Sequence, residues 1–160
     1  MKKLTRKFAT ILATDCVSFS KHMLENEELT FESLNACRGI IDNYIELNNG
    51  RIFHTAGDSV LAEFSGPLDA VNAAISFQDA LFEKNKANTG DETKIVLNWR
   101  VGIHCDDVIF ENDNVYGNGV NIAARLESQC EPGQILVSKM VNEIVASRIE
   151  AISRAAGTKK

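Results

Sequence analysis

Positive charge is in short supply: 17 lysines and arginines stand against 22 aspartates and glutamates in 160 residues, a formal net charge of −5. A general binder of nucleic acid or anionic membrane needs the opposite sign, so a phosphate ligand would require metal ions or local donors. Paired cysteine is lacking too. Cys16, Cys37, Cys105 and Cys130 lie far apart, with no C-x-x-C pair and no histidine at zinc-finger spacing. That argues against a disulfide framework or structural zinc and for a reducing, cytoplasmic setting. Long apolar runs are missing as well. The run Phe8 to Ala13 is too short for a membrane span or a signal-peptide core, and it reads as buried strand. What remains, 44% hydrophobic and 24% charged residues, is the composition of an ordinary globular chain, and its length predicts one domain over residues 1–160.

Phe8 to Thr14 is apolar without helical spacing, which predicts a central strand ending near Asp15. Leu34, Cys37, Ile41, Tyr44 and Ile45 recur at three- and four-residue spacing until Asn48-Asn49-Gly50, a helix and its stop. Arg51 to Thr55 and Ser59 to Phe64 read as a hairpin turning at Gly57 and Asp58. Pro67 opens a second helix that extends to about Lys84. Ile95, Leu97, Trp99, Val101 and Ile103 alternate strictly, so a strand is expected over Ile95 to His104, with His104 at its end. Asn112 to Asn114 read as turn, Val120 to Glu127 as helix, Gln134 to Val137 as strand, and Lys139 to Ala156 as helix.

This order predicts an α+β, ferredoxin-like fold (βααββαβ): a mostly antiparallel central sheet with helices packed on one face. Asp15 and Asp58 become neighbours if their strands pair at the sheet centre. Two carboxylates placed so suit magnesium or manganese. The plain alternative is that aspartates at strand ends and turns cap their own backbone. Arg125 and Asn121, one helical turn apart, equally read as a solvated arginine paired with Glu127 or Glu131 and as a helix-start residue.

Four ordered stretches carry a family resemblance: Ala13-Thr14-Asp15-Cys16-Val17-Ser18-Phe19-Ser20, the hairpin Gly50 to Phe64, Arg100-Val101-Gly102-Ile103-His104, and Val115-Tyr116-Gly117-Asn118-Gly119-Val120-Asn121-Ile122-Ala123-Ala124-Arg125-Leu126-Glu127. Together they resemble the palm-type catalytic domain of class III adenylate and guanylate cyclases over about residues 7–145. The resemblance implies conversion of ATP, or less readily GTP, to a 3′,5′-cyclic nucleotide and pyrophosphate in intracellular signalling. It assigns two divalent cations, Mg²⁺ or Mn²⁺, to Asp15, Asp58 and the Cys16 carbonyl, and phosphate oxygens to the amides of Val17, Ser18 and Phe19. Asn121 would position the ribose and Arg125 would stabilise the transition state, acting across a head-to-tail homodimer. Base selection falls to His54 and Asn114, where adenylate cyclases usually carry lysine and aspartate or threonine.

The family's closing strand pair, with its triphosphate lysine, finds no match in residues 146–160, which read as a helical or frayed tail. Sensor or effector domains belong with this chain if it is a fragment. The alternative reading is a catalytically impaired, cyclase-like module that dimerises or binds nucleotide.

Overall fold

The computed structural model describes residues 4–155, with side chains through Arg148. Strand β1 (Thr5–Cys16) is buried at every position from Ala9 to Thr14, so both its faces are covered and its sequence need not alternate. A turn at Val17 and Ser18 leads into α1 (Phe19–Glu25), and α2 (Glu27–Leu47) follows, its first turn capped by Asn26 Oδ1 accepting the Leu29 amide at 3.1 Å. β2 (Arg51–Ala56) and β3 (Ser59–Phe64) form the expected hairpin, with Gly57 at φ 60° in its turn. Then come α3 (Pro67–Asn88), β4 (Trp99–Glu111), β5 (Asn114–Tyr116), α4 (Asn118–Gln129), β6 (Ile135–Val137) and α5 (Lys139–Ala155).

The sheet runs β2-β3-β1-β4-β5 with antiparallel neighbours, and β6 lies parallel to the first half of β4. The long β1–β4 ladder reaches from Thr5 opposite Phe110 to Cys16 opposite Trp99. The larger core lies between the sheet and α2, α3 and α5, and includes Leu12, Phe64, Phe77, Trp99, Val101 and Ile103. Burial of such side chains contributes about 1.5–3 kcal/mol each and dominates the stability.

The expectation of helices on a single face is corrected by α4, which packs on the opposite face over Ala9, Ile11, Ala13 and Val108. Gly102 permits this: a Cβ there would press into the Glu127 amide and the Ala123 carbonyl, so helix and strand touch backbone to backbone. A second correction concerns β4. It begins at Trp99, not Ile95, because β1 ends opposite Trp99 and residues 95–98 have no strand to pair with. Its far end runs to Glu111, where Asn112 and Asp113 (φ 51° and 65°) form a tight hairpin to the short β5, which its three residues are too few to announce. His104 therefore lies within the strand and is 8% exposed, not a strand-end group. The expected tail is helical as far as Ala155; residues 156–160 lie outside the described residues, and among those described no strand follows β6.

Candidate active site

Asp15 is the last but one residue of β1, and its ladder partner on β4 is Arg100. The pairing is bidentate: Arg100 Nη2 donates to Asp15 Oδ1 at 2.9 Å and Oδ2 at 3.0 Å, and Nε donates to Oδ1 at 3.1 Å. Asp58, at the β2–β3 turn, accepts the Cys16 amide at 2.9 Å, which latches the hairpin to the end of β1. The two aspartates expected to be neighbours are thus brought together, closely enough for the charge of Asp58 to bear on Asp15.

A third carboxyl group enters from the helix. Glu127 is 6% exposed, beneath α4, with Oε2 3.3 Å from Arg100 Nη2. That is a charge contact without the alignment of a hydrogen bond, and Oε2 has no hydrogen-bond partner. Arg100 Nη1 meanwhile donates to the Ser128 carbonyl at 3.2 Å. Two carboxyl groups, Asp15 and Glu127, thus share one guanidinium, and the charge of Asp58 also reaches Asp15. Burial raises the Asp15 pKa above the ordinary carboxylate range, with Arg100 drawing it back and Asp58 adding to the rise. Burial, then the charge of Asp15, lifts Glu127 to about 8 against the pull of Arg100.

Sequence reasoning placed neither Arg100 nor Glu127 in the site. Their signals were nonetheless present: Arg100, Gly102 and His104 alternate on the strand face opposite Trp99, Val101 and Ile103, and Gly119, Ala123 and Glu127 form the buried stripe of α4.

Of the three amides expected to receive phosphate oxygens, not all are free. The Val17 amide is already committed to the Asn98 carbonyl at 2.8 Å, whereas those of Ser18 and Phe19 have no backbone acceptor among the described residues. Ser18 stands in the left-handed region, at φ 59°. Burial, reinforced by Asp58, pushes the Cys16 thiol far up, so it stays protonated. All four cysteines are free and buried.

His54 lies exposed on β2, and Asn114 opens β5. The two strands are drawn together where Arg51 Nη1 donates to the Asp113 carbonyl at 2.7 Å. The Asn114 side chain is partly spent: Oδ1 accepts the Val115 amide at 2.9 Å, and Nδ2 donates to the Tyr116 hydroxyl at 3.2 Å. Asn121 borders a cleft of about 470 Å³ lined also by Val115, Tyr116, Gly117, Asn118 and Val120.

Asn121 and Arg125 are exposed, on the side of α4 away from the buried Gly119, Ala123 and Glu127. Arg125 makes no ion pair among the described residues; Glu127, offered as its partner in the plain reading, faces Arg100 instead. Within one chain the aspartate pair and the Asn121/Arg125 pair therefore face different ways.

Magnesium or manganese suits hard carboxylate oxygens, and the neighbouring side chains of Asp15 and Asp58 fit a divalent cation. Among the described residues no group of three or more His, Cys, Asp or Glu side chains is set to hold a metal, so the remaining ligands would be backbone, water and substrate oxygens, the usual pattern for magnesium. No helix among the described residues is long and apolar enough to cross a membrane.

Comparison with known proteins gives concordant results. A family model described as the adenylate and guanylate cyclase catalytic domain matches residues 2–156. A protein of Rhizobium meliloti (strain 1021) bearing an adenylate cyclase name is 33% identical over 150 residues, 93% of this chain but 25% of that protein. This chain thus spans about a quarter of that relative. Among solved structures, an adenylate/guanylate cyclase/hydrolase from Silicibacter pomeroyi superposes with a TM-score of 0.83 at 33% identity, covering 91% of this chain and 84% of that one. The guanylyl cyclase Cya2 superposes with a TM-score of 0.79 at 28% identity, covering 90% and 81%.

Proposed function

Since the chain belongs to the adenylate and guanylate cyclase catalytic-domain family, we propose that it forms a 3′,5′-cyclic nucleotide from a purine nucleoside triphosphate, ATP in preference to GTP, as a head-to-tail homodimer. The observation that carries this reading is the outward direction of Asn121 and Arg125 on α4, set against the inward cluster at Asp15 and Asp58. One chain holds both halves of a composite site without joining them. A symmetric pair of chains would join them twice.

In the reaction the ribose 3′ oxygen attacks the α-phosphorus, the bond to the bridging oxygen breaks, and pyrophosphate leaves as the 3′ hydroxyl proton departs. Asp15, Asp58 and the Cys16 carbonyl would hold two Mg²⁺ or Mn²⁺ ions, which when bound lower the pKa of the 3′ hydroxyl and clamp the leaving phosphates. Arg125 keeps its charge throughout and meets the negative charge that grows on the α-phosphate. Asn121 orients the ribose from the rim of its cleft. The amides of Ser18 and Phe19 receive phosphate oxygens, and Val17 holds the loop in shape through Asn98. His54 and Asn114 read the base edge through side-chain hydrogen bonds, which supports weaker discrimination than a lysine and an aspartate would give. The 33%-identical relative with an adenylate cyclase name supports ATP as the preferred base.

The test is incubation of the purified chain with ATP or GTP and manganese, followed by mass detection of cyclic nucleotide. Product from wild type, with at least a hundredfold loss in Asp15→Ala and in Asp58→Ala, is expected. Near-wild-type turnover in either variant overturns the assignment of the aspartates. A folded, dimeric protein that forms no product leaves the regulatory-module alternative in its place.

A further inference from the structure

Arg100 belongs to two neighbourhoods at once. Toward β1 it is fully engaged, with three hydrogen bonds to Asp15. Toward α4 it is half engaged: Nη1 is bonded to the Ser128 carbonyl, and Nη2 lies 3.3 Å from a Glu127 oxygen to which it is not aligned. That oxygen is buried and has no hydrogen-bond partner, an arrangement that costs free energy and that a realigned Arg100 would relieve. Both α4 groups lie in the last turn of the helix, where the backbone dipole favours a cation. A bidentate guanidinium and a divalent cation compete for the same two Asp15 oxygens.

We infer that Glu127 is a positioning residue that receives Arg100 when a divalent cation takes Asp15. Nη1 stays on Ser128, and Nη2 exchanges one carboxylate for the other across a short arc. The guanidinium that pairs with Asp15 in this structure is thus held at the site edge by α4 instead of being released to solvent. The inference rests on the reading of Asp15 and Asp58 as cation ligands.

Manganese binding to the full chain without nucleotide, followed by electron paramagnetic resonance, tests it. Glu127→Gln should bind manganese on the order of five- to tenfold more weakly than wild type, since Arg100 loses its second carboxylate. Arg100→Gln should bind more tightly than wild type, because the competing cation is gone. In the Arg100→Gln background, adding Glu127→Gln should change affinity less than twofold, and Glu127→Asp should recover part of the loss in the single variant. Equal binding by wild type and a folded Glu127→Gln overturns the inference, as does an undiminished Glu127→Gln effect in the Arg100→Gln background, which would make Glu127 a direct ligand. If Asp15→Ala leaves manganese binding unchanged, the underlying cation site falls and the inference with it.

Discussion

A buried carboxyl group with a raised pKa makes stability depend on pH in a definite direction. Glu127 ionises in the unfolded chain near its ordinary 4.5 and in the folded chain at about 8. Below the first value both states are protonated and the group adds no penalty. Between the two, the unfolded chain releases a proton that the folded chain retains, so stability falls with each step up in pH and levels off above about 8. Asp15, also raised, acts in the same sense. In metal-free buffer the melting temperature should therefore decline from pH 5 to pH 8. Glu127→Gln, a neutral isostere, should flatten that decline and melt a few degrees higher at pH 8. Calorimetry across the range decides it: parallel curves for the two proteins would show that Glu127 is ionised in the folded state.

Two elements, α4 and β4, touch where a glycine removes the side chain between them. At Gly102 a methyl group would have to push back the Glu127 and Ala123 backbones, which cannot yield as a flexible side chain would. Gly102→Ala should cost about 1–3 kcal/mol or more by overpacking and should lower cyclase activity, because α4 carries Asn121, Arg125 and Glu127 on different sides. Gly39 offers the contrast: it lies inside α2 with open space around its Cβ direction. Gly39→Ala should raise stability by about 0.5–1 kcal/mol through helix propensity alone. Chemical denaturation of both variants measures the difference, and equal effects would show that the α4 contact is loose. The hairpin β2–β3 was legible because its turn chemistry is local, whereas the start of β4 was misplaced because Ile95 and Leu97 alternate like strand residues yet lie past the end of their partner.

For the whole molecule, the proposed composite site makes activity a property of a pair of chains. Asp58→Ala and Arg125→Ala proteins, each inactive alone, should regain activity on mixing, up to about a quarter of wild type if subunits exchange at random, since each heterodimer holds one intact composite site. No rescue under conditions where exchange is demonstrated would place both halves of the site within one chain.

Local rules acting on the sequence determined the element order, the Gly57-Asp58 turn, the helix start at Pro67 and the apolar run of β1, because periodicity and backbone preference act over a few residues. They also brought Asp15 and Asp58 to notice, whereas Asn121 and Arg125 stood out through the family resemblance. The tertiary structure alone decided that α4 crosses to the other face of the sheet, that Val17 spends its amide on Asn98, and that Arg100 joins Asp15 to Glu127. Those are pairings across 85 and 27 residues of chain. Strand register and the close approach at Gly102 create them, and neither is written in any local pattern.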